Sequence, residues 1–305
     1  MMKKVVLILV CVCLTLGASG QTKSPFNGAL LWKVSGNGLE KPSYVLGTLH
    51  LFSESFVDSI PGLRSVMQEA QQVVGELDML DAASMQAKMM QAAMLPEEES
   101  YKKLLSEAEY ARLDEGLKKF IGMGLDQVGG FKPGMLAPMI SIVLYTQVDP
   151  SFNPATFVGI DTYVQQVAKE EGKPIVGLET VEDQIFVLFD AAPQRIQMES
   201  LLCALENMDN GVEEIRDFIE SYRTADLNKI YDASYSDEAS NPCHTYSIAS
   251  KPELLDKRNA RWMEKLPRIM AEKTSLIAVG ALHLVGEEGV LYQLDKMGYK
   301  VEPVK

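Results

Sequence analysis

The stretch YVLGTLHLF at residues 44–52 returns as IAVGALHLV at residues 277–285, so one motif stands near each end of a 305-residue chain. In both copies an apolar strand runs into Gly-x-Leu-His-Leu. A glycine at a strand end lets the backbone turn sharply and leaves room beside it. The histidine three residues later can then project over the sheet edge. In α/β sheets, ligands gather outside the carboxyl ends of the strands. Two such turns on neighbouring central strands would bring His50 and His283 together, although they lie far apart in sequence.

The flanking order supports that reading. GALLWKVSGNGLEKPSYVLGTLHLF reads as two short strands split by a Ser-Gly-Asn-Gly turn, followed by a helix over GLRSVMQEAQQ and a strand at VVGELD. At the other end SLIAVG is a strand, EEGVLYQLDKMG a helix stopped by Gly298, and YKVEPV a closing strand. Each end is therefore strand, motif, helix, strand, which reads as two pseudo-equivalent halves. Between them the chain is mostly helical. Ser106 and Glu109 form a capping box, a buried strand is expected at residues 174–178, and further helices at 192–206, 211–223 and 252–272. Strands alternating with helices imply α/β layers around a mixed or parallel sheet. The insertion at about residues 81–160 carries Met85, Met89, Met90 and Met94 on one face. Such a stripe is ordinary core or an adaptable cover, and a mobile lid over the cleft is expected here.

Residues 1–20 read as a signal peptide, with Lys3 and Lys4 before an apolar run and Ala-Ser-Gly at its end. The mature chain is then expected to begin at Gln21, secreted or periplasmic, with no stable membrane span. The formal charge of −13 becomes −15 once Lys3 and Lys4 leave. That balance repels phosphate backbones, so nucleic acid is not an expected partner. Two cysteines, Cys203 and Cys243, remain in an oxidising compartment, either bridged or as two buried thiols. Without a cysteine cluster a thiolate zinc site is excluded.

Chemistry has few carriers. There is no Gly-x-Ser-x-Gly elbow, no His-Glu-x-x-His and no Walker loop. Beyond the two motif histidines, QVVGELD places Glu76 and Asp78 at the end of a strand, and PIVGLET places Glu179 in the same way. The third histidine, His244, lies in the polar run EASNPCHTYS and reads as an exposed bystander. Two imidazoles are too few for a metal without carboxylates, and Glu76 and Glu179 are the carboxylates in matching places.

The pieces YVLGTLHLF, VVGELD, IVGLETVEDQ, DKRNARWMEKLPRIM and AVGALHLVGEEGVLYQLDKMGYKVEPV together resemble the TraB/GumN family, which is related to the TIKI metalloproteases. The resemblance implies an α/β fold of two related halves, like the erythromycin-esterase and ChaN group. It also implies a divalent-metal-dependent peptidase of manganese or cobalt type. His50 and His283 match the paired motif histidines, Glu76 and Glu179 the acidic positions, and Arg258 and Asn259 the Arg-Asn pair before the last motif. The site expected on that basis has His50, His283, Glu76 and Glu179 as ligands, with the two glutamates dividing the ligand and base roles. Arg258 and Asn259 either orient substrate and stabilise an oxyanion, or form a salt bridge and cap. Neither histidine is expected in the core. The alternatives are a peptide-binding protein without catalysis, and a metal-free hydrolase or esterase with a histidine base and a glutamate.

Overall fold

The Ser-Gly-Asn-Gly turn needs three successive residues at positive φ, and Gly36, Asn37 and Gly38 supply it at 76°, 45° and 85°. It joins strands β1 (Leu31–Ser35) and β2 (Ser43–Thr48) as an antiparallel pair with Leu31 opposite Leu46. In the computed structural model the residues described are 25–80, 82–150, 152–208, 211–235 and 243–305. The expected signal peptide lies outside them.

Strands β3 (Gln72–Gly75), β4 (Ile175–Gly177), β5 (Ser275–Gly280) and β6 (Lys300–Pro303) complete a mixed six-stranded sheet in the order β4-β3-β5-β2-β1-β6. The four strands β4, β3, β5 and β2 run parallel. β2 and β3 are buried along their whole length, as their continuous apolar runs require. Val45, Leu46, Val74, Leu276 and Ile277 are fully enclosed in the main core.

The expected equivalence of the two ends is only partial. From β2 the chain passes through helix Leu63–Glu69 to β3, which lies beyond β5. From β5 it passes through helix Val290–Lys296 to β6, which lies beyond both β2 and β1. The ends interleave, with β2 and β5 side by side at the centre, and their pairings differ.

The Ser106–Glu109 capping box forms at the start of helix Glu107–Ile121. Helices between residues 82 and 148 divide their apolar residues. Leu113, Leu117, Leu136 and Leu144 join the main core, while Met89, Ala93 and Met135 form a separate small cluster with Phe189. Met90 and Met94 stay exposed. Cys203 and Cys243 form a disulfide, with Cα atoms 5.9 Å apart, tying helix Gln194–Glu206 to the start of helix His244–Lys251. His244 therefore opens a helix, and its side chain lies outside the described residues. Among those residues no helix is long and apolar enough to cross a membrane.

Candidate functional site

The parallel register decides which side chains meet. Gly177, Gly75, Ala278 and Leu46 lie in one row across β4, β3, β5 and β2. Each strand therefore ends at the same edge, and the residues just beyond are Glu179, Glu76, His283 and His50 in that order. Backbone bonds from Leu178 N to Gly75 O and from Glu179 N to Glu76 O, both 2.9 Å, carry the pairing past the strand ends.

Two helices fasten this rim. Helix Ile160–Glu170 presents Asp161 and Gln165, four residues apart and so on one face. Asp161 bonds His50 Nδ1, and Gln165 accepts from Met79 N (2.8 Å) and donates to Leu77 O (2.8 Å), fixing the loop that follows Glu76. A Cβ at Gly75 would stand 2.4 Å from Gln165 Nε2, so glycine is required there for this clamp. Helix Lys257–Glu272 presents Arg258, Asn259 and Trp262, all buried.

Arg258 is a saturated knot. Nε and Nη2 grip Glu179 at 2.7 and 2.9 Å, Nη2 also donates to Glu76 at 2.6 Å, and Nη1 donates to Leu254 O and to His283 Nε2, each at 3.0 Å. A guanidinium has five N–H groups, and all five are engaged within the protein. In this arrangement Arg258 offers no donor to a substrate oxyanion. Asn259 is equally committed: Nδ2 donates to Glu288 O (2.8 Å) and His283 O (3.3 Å), which leaves Oδ1 to accept from His283 Nδ1 (2.7 Å). Trp262 donates to Glu179 Oε1 at 2.9 Å and lies against the His283 ring, centroids 4.3 Å apart.

The two motif histidines are in opposite states. His283 has 5% of its side chain exposed, His50 35%. Because Asn259 Oδ1 is an acceptor, His283 carries its proton on Nδ1, and Nε2 accepts from Arg258. Burial and then the Arg258 charge push His283 down to about 3, so the ring is neutral. It is a core residue, contrary to the expectation from sequence, because the second helix and Trp262 close over it. Burial would also lower His50, but the charge of Asp161 and its hydrogen bond outweigh it and raise His50 to about 9. Burial opposes ionisation of Glu76 too, yet the charge of Arg258, joined by that of His50, holds its carboxyl well below the usual range. Glu76 Oε1 accepts from Gly280 N at 2.8 Å.

The metal expected from the resemblance must be tested against these contacts. The donor types suit a manganese- or cobalt-type ion, but three of the four expected ligands, His283, Glu179 and Glu76, already face Arg258. Arg258 takes His283 Nε2, both oxygens of Glu179 and one of Glu76, and so stands where an ion would have to sit. Among the described residues no three His, Cys, Asp or Glu side chains form a group that could hold an ion. As arranged, the residues do not fit one.

The chain leaving His50 runs directly into a cavity of about 310 Å³, lined by Phe52, Phe56, Tyr145, Phe152, Phe157 and Arg223 among others. Sequence reasoning gave no role to Asp161, Gln165 or Trp262. The signal was present: Asp161 opens a helix just after Gly159, and Asp161–Gln165 and Arg258–Trp262 both have the spacing of one helical turn.

Residues 30–303 match the TraB/PrgY/gumN family. The chain belongs to that family. Among its relatives, Metalloprotease TIKI2 of Danio rerio is 26% identical, over 90% of this chain and 60% of its own length. Metalloprotease TIKI homolog of Amphimedon queenslandica is 21% identical, over 98% of this chain and 66% of its own. Uncharacterized protein YbaP of Shigella flexneri is 23% identical, over 80% and 84%. This family member thus spans less than two thirds of the length of those TIKI relatives. No solved structure matches the chain.

Proposed function

We propose that this chain is an exported hydrolase of peptide bonds, working outside the cytoplasm after loss of residues 1–20, with His50 as its acid–base group. The observation that carries the reading is the difference between the two motif histidines. Both Nδ1 and Nε2 of His283 are bonded inside the protein, whereas among the described residues His50 is bonded at Nδ1 alone and is the more exposed. The TIKI relatives' name supplies the substrate class.

In its neutral form, whose share grows as pH rises toward about 9, His50 takes a proton from water through Nε2 as the water oxygen bonds to the carbonyl carbon. The kcat should therefore rise with pH up to about 9. The resulting imidazolium, opposite Asp161, returns that proton to the amine nitrogen as the C–N bond breaks. Glu76, on the same rim, orients the water through its carboxylate. Arg258, Glu179, Asn259 and Trp262 hold this geometry and touch no reacting atom. The cavity beyond Phe52 receives a substrate side chain. Helix Ala82–Ala92, packed by its own small cluster, serves as the lid; faster hydrogen exchange there than in the central strands is the measurement for it. Because the donor set does not fit an ion, no step runs through one.

The test is turnover of a fluorogenic peptide library by the chain starting at Gln21, with chelator and with added manganese or cobalt. Cleavage that survives chelation and is lost in His50→Ala supports the reading. Cleavage only with added metal would mean that Arg258 yields its place to an ion. Tight peptide binding without turnover would make the chain a binding protein.

A further inference from the structure

We propose that Asp161 is the positioning residue of this site, turning the His50 ring so that Nε2 faces the open side of the rim. The inference deepens the hydrolase reading and rests on it. An ionised carboxylate can only accept, so the Nδ1 it holds must carry a proton, and the lone pair of the neutral ring is then on Nε2. The contact is built into the backbone. The loop after His50 is stitched to the start of helix Ile160–Glu170 by Glu54 N to Val158 O (3.1 Å), Ile160 N to Phe52 O (2.9 Å) and a bridge between Ser53 and Gly159. Gly159 is the N-cap of that helix. A Cβ there would meet Asp161 Oδ1 at 2.7 Å and His50 O at 3.3 Å, so glycine is what lets the carboxylate reach the ring. Asp161 is itself buried, and Thr162 N–H bonds its carboxylate as well. The other charged groups that act on His50 are Glu76, just after β3, and Arg258, on helix Lys257–Glu272, and His283 follows β5. None of them is bonded to Nδ1.

The experiment follows the His50 imidazole by NMR through a pH titration of the mature protein, alongside kcat and KM on a cleaved peptide. In folded Asp161→Asn, the His50 midpoint should fall by about one pH unit or more, since the carboxylate is what stabilises the imidazolium. The kcat should drop about 10²–10⁴-fold with KM changed by less than about threefold. Asp161→Glu should recover part of both. If Asp161→Asn does not fold, Gly159→Ala displaces the carboxylate without removing it, and the same shift and loss are expected. An unchanged midpoint and kcat in a folded variant of either kind would overturn the role. A shifted midpoint in a protein that cleaves no peptide would retire the hydrolase reading and leave the role of Asp161 standing.

Discussion

His50 and His283 come from the same five-residue motif, yet the partners that reach them from elsewhere in the chain give them opposite chemistry. The difference has a sign in stability. His283 stays neutral in the fold and is pushed down to about 3, so between that value and the ordinary 6.5 the unfolded chain binds the extra proton and stability falls with acid. His50 is raised from 6.5 to about 9, so the fold holds the extra proton there; its contribution is complete below 6.5 and is lost as pH rises through 9. A denaturant series should therefore show an alkaline decline in stability that His50→Ala removes; an identical decline in the variant would contradict the His50–Asp161 pair. His283→Ala should act differently. It leaves one of the two N–H groups of Arg258 Nη1, and Asn259 Oδ1, buried without partners, at a cost of about 2–5 kcal/mol in unfolding free energy. Loss of less than about 1 kcal/mol by chemical denaturation would show that this histidine does not hold the knot. All four rim residues were legible in sequence, because strand ends are marked by the change from apolar run to glycine. Their states were not, since Asp161, Asn259 and Trp262 reach them only through tertiary contact.

At the scale of elements, the repeated motif packs against itself. A Cβ on Gly47 would stand 2.9 Å from Leu284 Cδ2 and 3.3 Å from Ala281 Cα, both in the turn of the second copy. The room that a glycine leaves at this strand end is thus what allows β2 to lie beside the turn after β5. Gly47→Val should cost about 1–3 kcal/mol through overpacking, read as a lower denaturant midpoint; a midpoint equal to wild type would remove the close approach. The strands, the capping box and most helices were foreseeable from periodicity and caps. The mismatch between the two ends was not, because strand order depends on which crossover skips which neighbour, and local sequence carries no such information. The disulfide closes a separation of 40 residues and contributes about 3–4 kcal/mol by restricting the unfolded chain. Unreduced, unfolded mature protein should titrate no thiol, and two thiols would delete the bridge from the account.

Across the whole molecule, the two end portions of the chain supply β1, β2, β3, β5 and β6, while the middle supplies β4 and the helix that carries Asp161. The site is therefore assembled only when distant segments meet: Arg258 alone links residues 76, 179 and 283. That explains why one motif is used twice without being used in the same way. One copy is locked into the core as part of a buried charge knot, and the other is left at the rim with a ring nitrogen to spare. The most direct test of this division is the kcat of folded His50→Gln on the peptide that wild type cleaves fastest. The account requires a fall of about 100-fold or more in a variant that remains folded at the assay temperature; a kcat within about threefold of wild type would show that the chemistry is not carried by His50.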